Sequence, residues 1–98
     1  MAFLVEFARH PEVSSIPELV RARHLDFLDQ HVGLILAGGA LVKDDGATVE
    51  GGFYIVDLDT RAETEALGAR DPYFVDSIFV VERIVRWRIA YFNRERVI

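Results

Sequence analysis

The sequence predicts an α+β fold of the ferredoxin-like βαββαβ type, in which a four-stranded antiparallel sheet carries two helices on one face. Four apolar segments have the length and pattern of strands. Two segments with helix-start signals separate the first strand from the second and the third from the fourth. An aspartate–glycine pair between the second and third apolar segments is typical of a tight hairpin. Residues 1–98 are expected to form one domain.

The first two predicted elements are a strand and a helix. In AFLVEF (residues 2–7) every second residue is apolar and falls on the same side, as in a strand with one buried face. Ser15 and Glu18 then have the three-residue spacing of a capping box, in which each side chain bonds the other's backbone N–H. We therefore predict a helix over residues 16–31 that ends near Gly33.

The next two strands are predicted to form a hairpin. The run LILAGGALV (residues 34–42) is almost wholly apolar and has the length of a buried strand. Asp45 and Gly46 supply the two turn residues, because glycine adopts positive φ angles at low cost. The segment VEGGFYIVDLD (residues 49–59) is the predicted returning strand.

A second helix and a final strand complete the predicted order. Thr60 has the chemistry of an N-cap for a helix at residues 61–70, whose predicted apolar side comprises Ala62, Ala66 and Leu67. The segment IFVVERIVRWRIAYF (residues 78–92) alternates apolar and charged residues and is the predicted last strand. Residues 92–98 are predicted to be a short C-terminal tail.

The predicted sheet has two apolar faces and only one layer of helices. In the third strand Phe53 and Ile55 point to one side, whereas Tyr54, Val56 and Leu58 point to the other. Burial of apolar surface contributes about 25 cal/mol per Å², so an uncovered face would forfeit much of the stability of a small domain. We predict a homodimer in which two open sheet faces pack together about a two-fold axis. A different protein partner on this face is the alternative.

Composition excludes several classes of protein. The net charge of −5 leaves no basic stripe for a phosphate backbone, so no nucleic-acid partner is expected. The absence of cysteine excludes a disulfide framework and a thiolate nucleophile. We find no signal-peptide pattern and no apolar run of about 20 residues, so we expect a cytoplasmic protein without a membrane span.

No metal or cofactor is predicted. His24 and His31 lie two helical turns apart, about 10 Å along the axis, which is too far for one ion with bonds of about 2 Å. The glycine-containing segment AGGA lacks the spacing and the lysine of a phosphate-binding loop.

His24 is the first candidate site residue. On a helical wheel it falls within the apolar stripe of the first helix, together with Val20, Phe27 and Leu28. An imidazole in such a position can give or take a proton if a partner holds its tautomer. A histidine that simply bonds a backbone carbonyl is the alternative.

Asp71 is the second candidate. An aspartate before a proline is typical of an N-cap followed by the first helical residue, so its carboxylate can accept backbone N–H bonds. A rigid capping carboxylate can also orient a histidine, and both roles are compatible. We predict that the loop after the second helix brings Asp71 toward His24.

Four further residues are candidates for substrate binding. Arg21 lies one helical turn before His24 and can steer an anionic substrate, or it is a solvated surface charge. Gly38 and Gly39 would let a ligand approach the strand backbone closely, with a β-bulge as the alternative. Tyr73 can offer its hydroxyl at the rim of a pocket, although such residues are more often part of a core.

These residues resemble the YciI-like family, also called the YCII-related domain. The resemblance is carried by Arg21-Ala-Arg-His24-Leu25, AGGAL (37–41), the Asp45-Gly46 hairpin and Asp71-Pro72-Tyr73, and it covers about residues 2–88. It implies a dimeric α+β barrel with an active site built around a histidine and an aspartate, here His24 and Asp71.

The chain departs from that family pattern at two places. Family members usually have a proline after the glycine of the AGP-L segment, where this sequence reads Gly39-Ala40. They also tend to have an alanine–glycine pair after the aspartate–proline motif, where this sequence reads Asp76-Ser77. Both changes border the predicted pocket, so the substrate can differ from that of other members.

Two functions follow from these expectations. The first is a cofactor-free enzyme of isomerase or lyase type, in which His24 is the general acid/base and Asp71 orients it, acting on a small cyclic or aromatic compound. The second is a non-catalytic dimer that binds a small-molecule ligand or another protein, with His24 as a polar anchor.

Overall fold

The computed structural model describes residues 2–98. The elements in chain order are β1 (Ala2–Arg9), α1 (Glu18–Gln30), β2 (Ile35–Val42), β3 (Val49–Val56), α2 (Arg61–Gly68), α3 (Pro72–Val75), β4 (Phe79–Trp87), β5 (Tyr91–Phe92) and β6 (Glu95–Arg96). A single 3-10 turn, Val32–Leu34, leads into β2.

The sheet confirms the predicted fold class. Its four strands run in the order β2-β3-β1-β4, and each neighbouring pair is antiparallel. This is the strand order of a ferredoxin-like βαββαβ fold, with α1 and α2 as the two main helices. The short helix α3 and the two-residue strands β5 and β6 are additions to the predicted order.

The core lies between the helices and one face of the sheet. Phe3, Val5 and Phe7 alternate along β1 as predicted, and all three are buried. Tyr54 pairs with Val5 across β1 and β3, so its side chain lies on the same face. The cluster is completed by Val56, Leu67, Tyr73, Ile78 and Phe79, with Val20, Phe27 and Leu28 of α1 packed against it.

The opposite sheet face is also apolar. Leu4 lies between Ile55 of β3 and Val85 of β4 in the register of the sheet. An ion pair between Glu6 Oε1 and Arg83 Nε, 2.8 Å apart, is a polar contact on this face. Among the described residues, no helix covers it.

The start of α1 differs from the prediction. The N-cap is Pro17, which makes no side-chain hydrogen bond, and Ser15 is exposed outside the helix. A proline disfavours helical angles in the residue before it, so Ile16 cannot be the first helical residue. The capping-box spacing of Ser15 and Glu18 was therefore misleading, and α1 begins at Glu18.

The cap of α2 is confirmed, but its buried side is not the predicted one. Thr60 Oγ1 accepts a hydrogen bond from the Glu63 N–H at 3.1 Å. Ala62 and Ala66 are exposed, whereas Leu67 is buried with Thr64 and Gly68. Thr64 can face the core because its hydroxyl donates to the Thr60 carbonyl at 3.0 Å.

The structure agrees with the predicted hairpin between β2 and β3 but not with the predicted end of the last strand. The hairpin through Asp45-Gly46 is present, but its loop spans residues 43–48 instead of two residues. Gly46 has φ 73°, and Asp45 Oδ1 accepts from the Thr48 N–H at 2.8 Å. The last strand ends at Trp87 rather than at residue 92. Asn93 and Arg94 both have positive φ angles, 52° and 64°, and they turn the predicted tail into the hairpin β5–β6.

Candidate active site

The site begins at the N-terminus of α3, where Asp71 is the N-cap. Its Oδ1 accepts a hydrogen bond from the Tyr73 N–H at 3.0 Å, and Pro72 occupies the first helical position. Proline has no N–H to leave unsatisfied there, so the Asp-Pro sequence folds locally into this cap. Asp71 is fully buried, and its carboxylate is held by the backbone N–H of Tyr73, two residues further along the chain.

The C-terminus of α3 is closed by a Schellman motif. The Ser77 N–H donates to the Phe74 carbonyl at 3.2 Å, and the Ile78 N–H donates to the Tyr73 carbonyl at 3.0 Å. Ser77 occupies the left-handed position of this motif, with φ 57°, where glycine is the usual residue. Caps at both ends hold this four-residue helix in place.

His24 meets Asp71 from the facing helix α1. It is the buried residue of α1, and its Nδ1 lies 2.8 Å from Asp71 Oδ1. Since Oδ1 is an acceptor, Nδ1–H is the donor, and in the neutral tautomer that fits this contact Nε2 carries the free lone pair. No other residue in 2–98 bonds Nε2, so this nitrogen is available to a ligand.

The imidazole is also held by an aromatic ring. The rings of His24 and Tyr73 are stacked, with centroids 3.7 Å apart and planes 9° from parallel. Burial raises the pKa of the Tyr73 hydroxyl, the positive charge of Arg21 lowers it, and the negative charge of Asp71 raises it. The guanidinium of Arg21 is therefore close enough to act on groups at this stacked pair.

A cavity of about 460 Å³ lies beside the pair, between α1 and the β2–β3 edge of the sheet. Most of its wall is apolar, with side chains such as Phe7, Leu28 and Ile35. The sequence-predicted residues that line it are His24, Arg21, Gly38, Gly39 and Tyr73. Asp71 does not reach the cavity and lies behind His24.

The two cavity glycines have different surroundings. A Cβ at Gly38 would lie 3.1 Å from the Phe53 carbonyl oxygen and 3.1 Å from Tyr54 Cβ, which is tighter than an ordinary contact. A Cβ at Gly39 would meet no atom within 4 Å. Gly38 therefore permits close packing on β3, whereas Gly39 leaves open space.

Sequence reasoning missed Tyr54 as a site residue. Its side chain is 3% exposed, lines the cavity, and interacts electrostatically with Asp71. In the sequence it was one of the alternating apolar residues of β3, and nothing local distinguished it from a core residue. Only the register between β1 and β3 could have indicated that the Tyr54 side chain lies on the same sheet face as the core.

Neither a metal site nor a membrane span is found in the part of the chain that the structure describes. No group of three or more His, Asp or Glu side chains within residues 2–98 could hold a metal ion. None of the helices there is both long enough and apolar enough to cross a bilayer.

The fold and the buried contact define a class of protein: a ferredoxin-like α+β domain with an apolar cavity beside a hydrogen-bonded histidine and aspartate. The chain belongs to the YCII-related domain family, whose sequence model matches residues 1–88. The predicted family membership is thereby confirmed, and the match includes all of the predicted site residues. No curated protein matches the sequence.

A solved structure with the same fold is that of 5-chloro-2-hydroxyhydroquinone dehydrochlorinase from Burkholderia phenoliruptrix, in complex with 2,5-dihydroxybenzoquinone. The TM-score is 0.77 and the sequence identity is 24%, over 90% of this chain and 94% of that chain. The similarity therefore extends over almost the whole of both chains and shows a shared fold.

Proposed function

We propose that this protein is a cofactor-free acid–base enzyme of isomerase or lyase type that acts on a small cyclic or aromatic compound. The observation that carries the proposal is the 2.8 Å contact between His24 Nδ1 and Asp71 Oδ1, with His24 lining the cavity. A base whose tautomer is fixed by a buried carboxylate, and whose second nitrogen is free, is arranged for proton transfer.

In the proposed reaction His24 Nε2 removes a proton from a hydroxyl or an acidic C–H of the ring compound. The imidazolium that forms is stabilised by Asp71 through the Nδ1–H···Oδ1 hydrogen bond and by the face of Tyr73. In an isomerisation the same proton returns to another atom of the substrate. In an elimination from an aromatic ring the proton is returned to the ring carbon that bears the leaving group, which gives the keto tautomer. Removal of a second hydroxyl proton by His24 then forms a quinone C=O bond, the ring electrons expel the anionic leaving group, and the second proton is released to water.

The cavity favours a one-ring substrate with acidic hydroxyl groups. A volume of about 460 Å³ with mostly apolar walls has room for a one-ring compound. Arg21 lies in the wall and forms no salt bridge within residues 2–98, so its charge can bind an oxyanion. The dehydrochlorinase with the same fold is named for a chlorinated hydroxyhydroquinone, a compound of this kind.

We propose that the protein functions as a homodimer joined through the open sheet face. The support is the row formed by Leu4, Ile55 and Val85, on a face that no described helix covers. Covering such a row with its own copy would remove apolar surface from water.

The function is tested with two ring compounds. Titration calorimetry with 2,5-dihydroxybenzoquinone measures binding, and chloride release from 5-chloro-2-hydroxyhydroquinone measures elimination. We expect the unmodified protein to bind the first and to release chloride from the second. His24→Ala should abolish chloride release while the protein stays folded, because the proton acceptor is gone.

The matched control is His10→Ala, which removes a histidine from a loop outside the cavity wall. This variant should retain both binding and turnover. Arg21→Gln should weaken binding of the anionic ring on the order of 10-fold, the effect of losing one charged hydrogen bond. Binding without turnover in both the unmodified protein and His24→Ala would instead favour the non-catalytic ligand-binding protein.

A further inference from the structure

Two buried polar atoms of the described chain have no hydrogen-bond partner: Tyr54 Oη and Asp71 Oδ2. An unpaired buried polar group costs about 1–3 kcal/mol, so such atoms are few in folded proteins. The two atoms are complementary, because a phenol is a donor and a carboxylate oxygen is an acceptor. Their pairing would remove both penalties at once.

The fold brings these two groups to the same turn. A Cβ at Gly68, the last residue of α2, would lie 3.9 Å from Tyr54 Oη. The Gly68 carbonyl accepts the Asp71 N–H at 3.0 Å. The hydroxyl at the end of the Tyr54 side chain therefore lies near Gly68, the same residue whose carbonyl accepts the Asp71 N–H, although Tyr54 belongs to a strand and Asp71 to a loop.

The raised pKa of Tyr54 is consistent with a position close to the Asp71 carboxylate. Burial raises the pKa of Tyr54 most, and the negative charge of Asp71 and a side-chain interaction with its carboxylate raise it further. The phenol is therefore protonated, and able to donate, throughout the neutral range. Tyr54 and Asp71 therefore interact electrostatically, while Tyr54 Oη and Asp71 Oδ2 each have no hydrogen-bond partner in this structure.

We infer that Tyr54 is a positioning residue for the proposed His24–Asp71 pair, with its hydroxyl donating to Asp71 Oδ2. Oδ1 then remains directed at His24 Nδ1, while the second oxygen is held by the sheet. The effect of Tyr54 on the reaction rate rests on the proposed function, whereas the hydrogen bond between Tyr54 and Asp71 does not. Tyr54 acts through Asp71 and is not a proton donor to substrate.

The test is NMR spectroscopy of Tyr54→Phe in isotopically labelled protein. Loss of the hydroxyl leaves more negative charge on Oδ1, so the His24 Nδ1–H proton should move downfield and the Asp71 ¹³Cγ resonance should shift. Tyr91→Phe is the matched control, since it removes a hydroxyl from the exposed hairpin β5–β6 and should move neither resonance. A folded Tyr54→Phe protein with both resonances unchanged would overturn the inference.

A second measurement covers the case in which Tyr54→Phe does not fold. Asp71→Asn retains an oxygen for the cap but removes the carboxylate charge, and tyrosine ¹³Cζ resonances report ionisation of each phenol. We expect Tyr54 to ionise at lower pH in Asp71→Asn than in the unmodified protein. An identical midpoint in the two proteins would show that Tyr54 and Asp71 do not interact.

Turnover separates this inference from the proposed function. If chloride release is found, Tyr54→Phe should lower kcat on the order of 10-fold without changing KM, because only proton transfer is impaired. An unchanged kcat would contradict the positioning role. If no compound is turned over but the resonances move, the proposed function fails and the hydrogen bond stands.

Discussion

His24 Nδ1 and Asp71 Oδ1 lie 2.8 Å apart, although 47 residues separate them in the chain. The contact depends on two local devices: the apolar stripe of α1, which turns His24 inward, and the Asp-Pro cap of α3, which fixes Asp71. The same carboxylate therefore has a structural role and a proposed catalytic one. Substitutions that separate these roles are the most informative.

Replacement of Asp71 should separate capping from chemistry. Asp71→Ala removes an N-cap, which costs about 1 kcal/mol, and leaves the His24 Nδ1–H unpaired, which costs roughly 1–3 kcal/mol more. We expect a loss of about 2–4 kcal/mol in the free energy of unfolding, measured with urea. Asp71→Asn keeps an acceptor for the Tyr73 N–H and should lose less than half as much.

Turnover should fall sharply in Asp71→Asn even though most of the stability is kept. Asp71→Asn should lower kcat on the order of 100-fold or more, since an amide cannot stabilise the imidazolium. A stable Asp71→Asn protein with undiminished turnover would show that Asp71 is only a helix cap.

Ser77 offers a stabilising substitution away from the cavity wall. Its φ of 57° is a left-handed conformation that glycine adopts without the penalty of about 1–2 kcal/mol paid by other residues. After the greater chain entropy of glycine is subtracted, Ser77→Gly should raise the free energy of unfolding by up to about 1 kcal/mol. Ser77→Val, with a β-branched side chain, should lower it, and a stable Ser77→Val protein would contradict this explanation.

Stability should fall at alkaline pH because of Tyr54. Burial and the charge of Asp71 raise its pKa above the ordinary value of 10.0, so the unfolded chain ionises first. The contribution of the neutral buried phenol is fully present below about pH 10 and is lost as the pH rises above it. The slope is about 1.4 kcal/mol per pH unit for one such group.

Urea unfolding between pH 9 and pH 11.5 measures this slope. Tyr54→Phe should be less steep than the unmodified protein, with the remaining slope due partly to Tyr73, whose pKa is also raised by burial. Tyr91→Phe is the control, since that ring is exposed. Parallel curves for Tyr54→Phe and the unmodified protein would be evidence against a buried neutral phenol at this position.

A charge placed on the open sheet face should lower the molecular mass of the protein in solution, because it should separate the proposed homodimer into monomers. Val85→Glu places a charge beside Leu4 on this face, and in sedimentation equilibrium it should convert a homodimer to monomers. Leu19→Glu makes the same kind of change on α1, where the side chain is 61% exposed, and should leave the dimer intact. A monomeric unmodified protein would refute the proposed homodimer.

The sequence predicted most of the fold because its signals are local. Alternation in β1, the Asp45-Gly46 turn and the Thr60 cap each depend on residues a few positions apart. The wrong predictions also concern local signals, but in each case a second local feature of the sequence was stronger. Pro17 overrode the capping spacing of Ser15, and two non-glycine residues with positive φ formed the hairpin after residue 92.

The site was harder to predict because it is assembled from distant segments. His24 and Asp71 could be singled out by residue type and position, but their separation depends on how α1 packs against α3. Tyr54 gave no signal, because a tyrosine among alternating apolar residues has the pattern of a core residue. The partner of its hydroxyl depends on sheet register and on the turn after α2, and neither is encoded in β3 alone.

The most direct test of the central claim is proton exchange at the ring of a bound compound. Ring compounds that bind, beginning with 2-hydroxyhydroquinone, are incubated without oxygen in D₂O, and loss of ring ¹H signals is followed by NMR. We predict exchange at least 10-fold faster with the unmodified protein than with His24→Gln, since only the former carries the base. Equal exchange rates with the two proteins, for every compound that both bind, would contradict the proposal that His24 transfers protons.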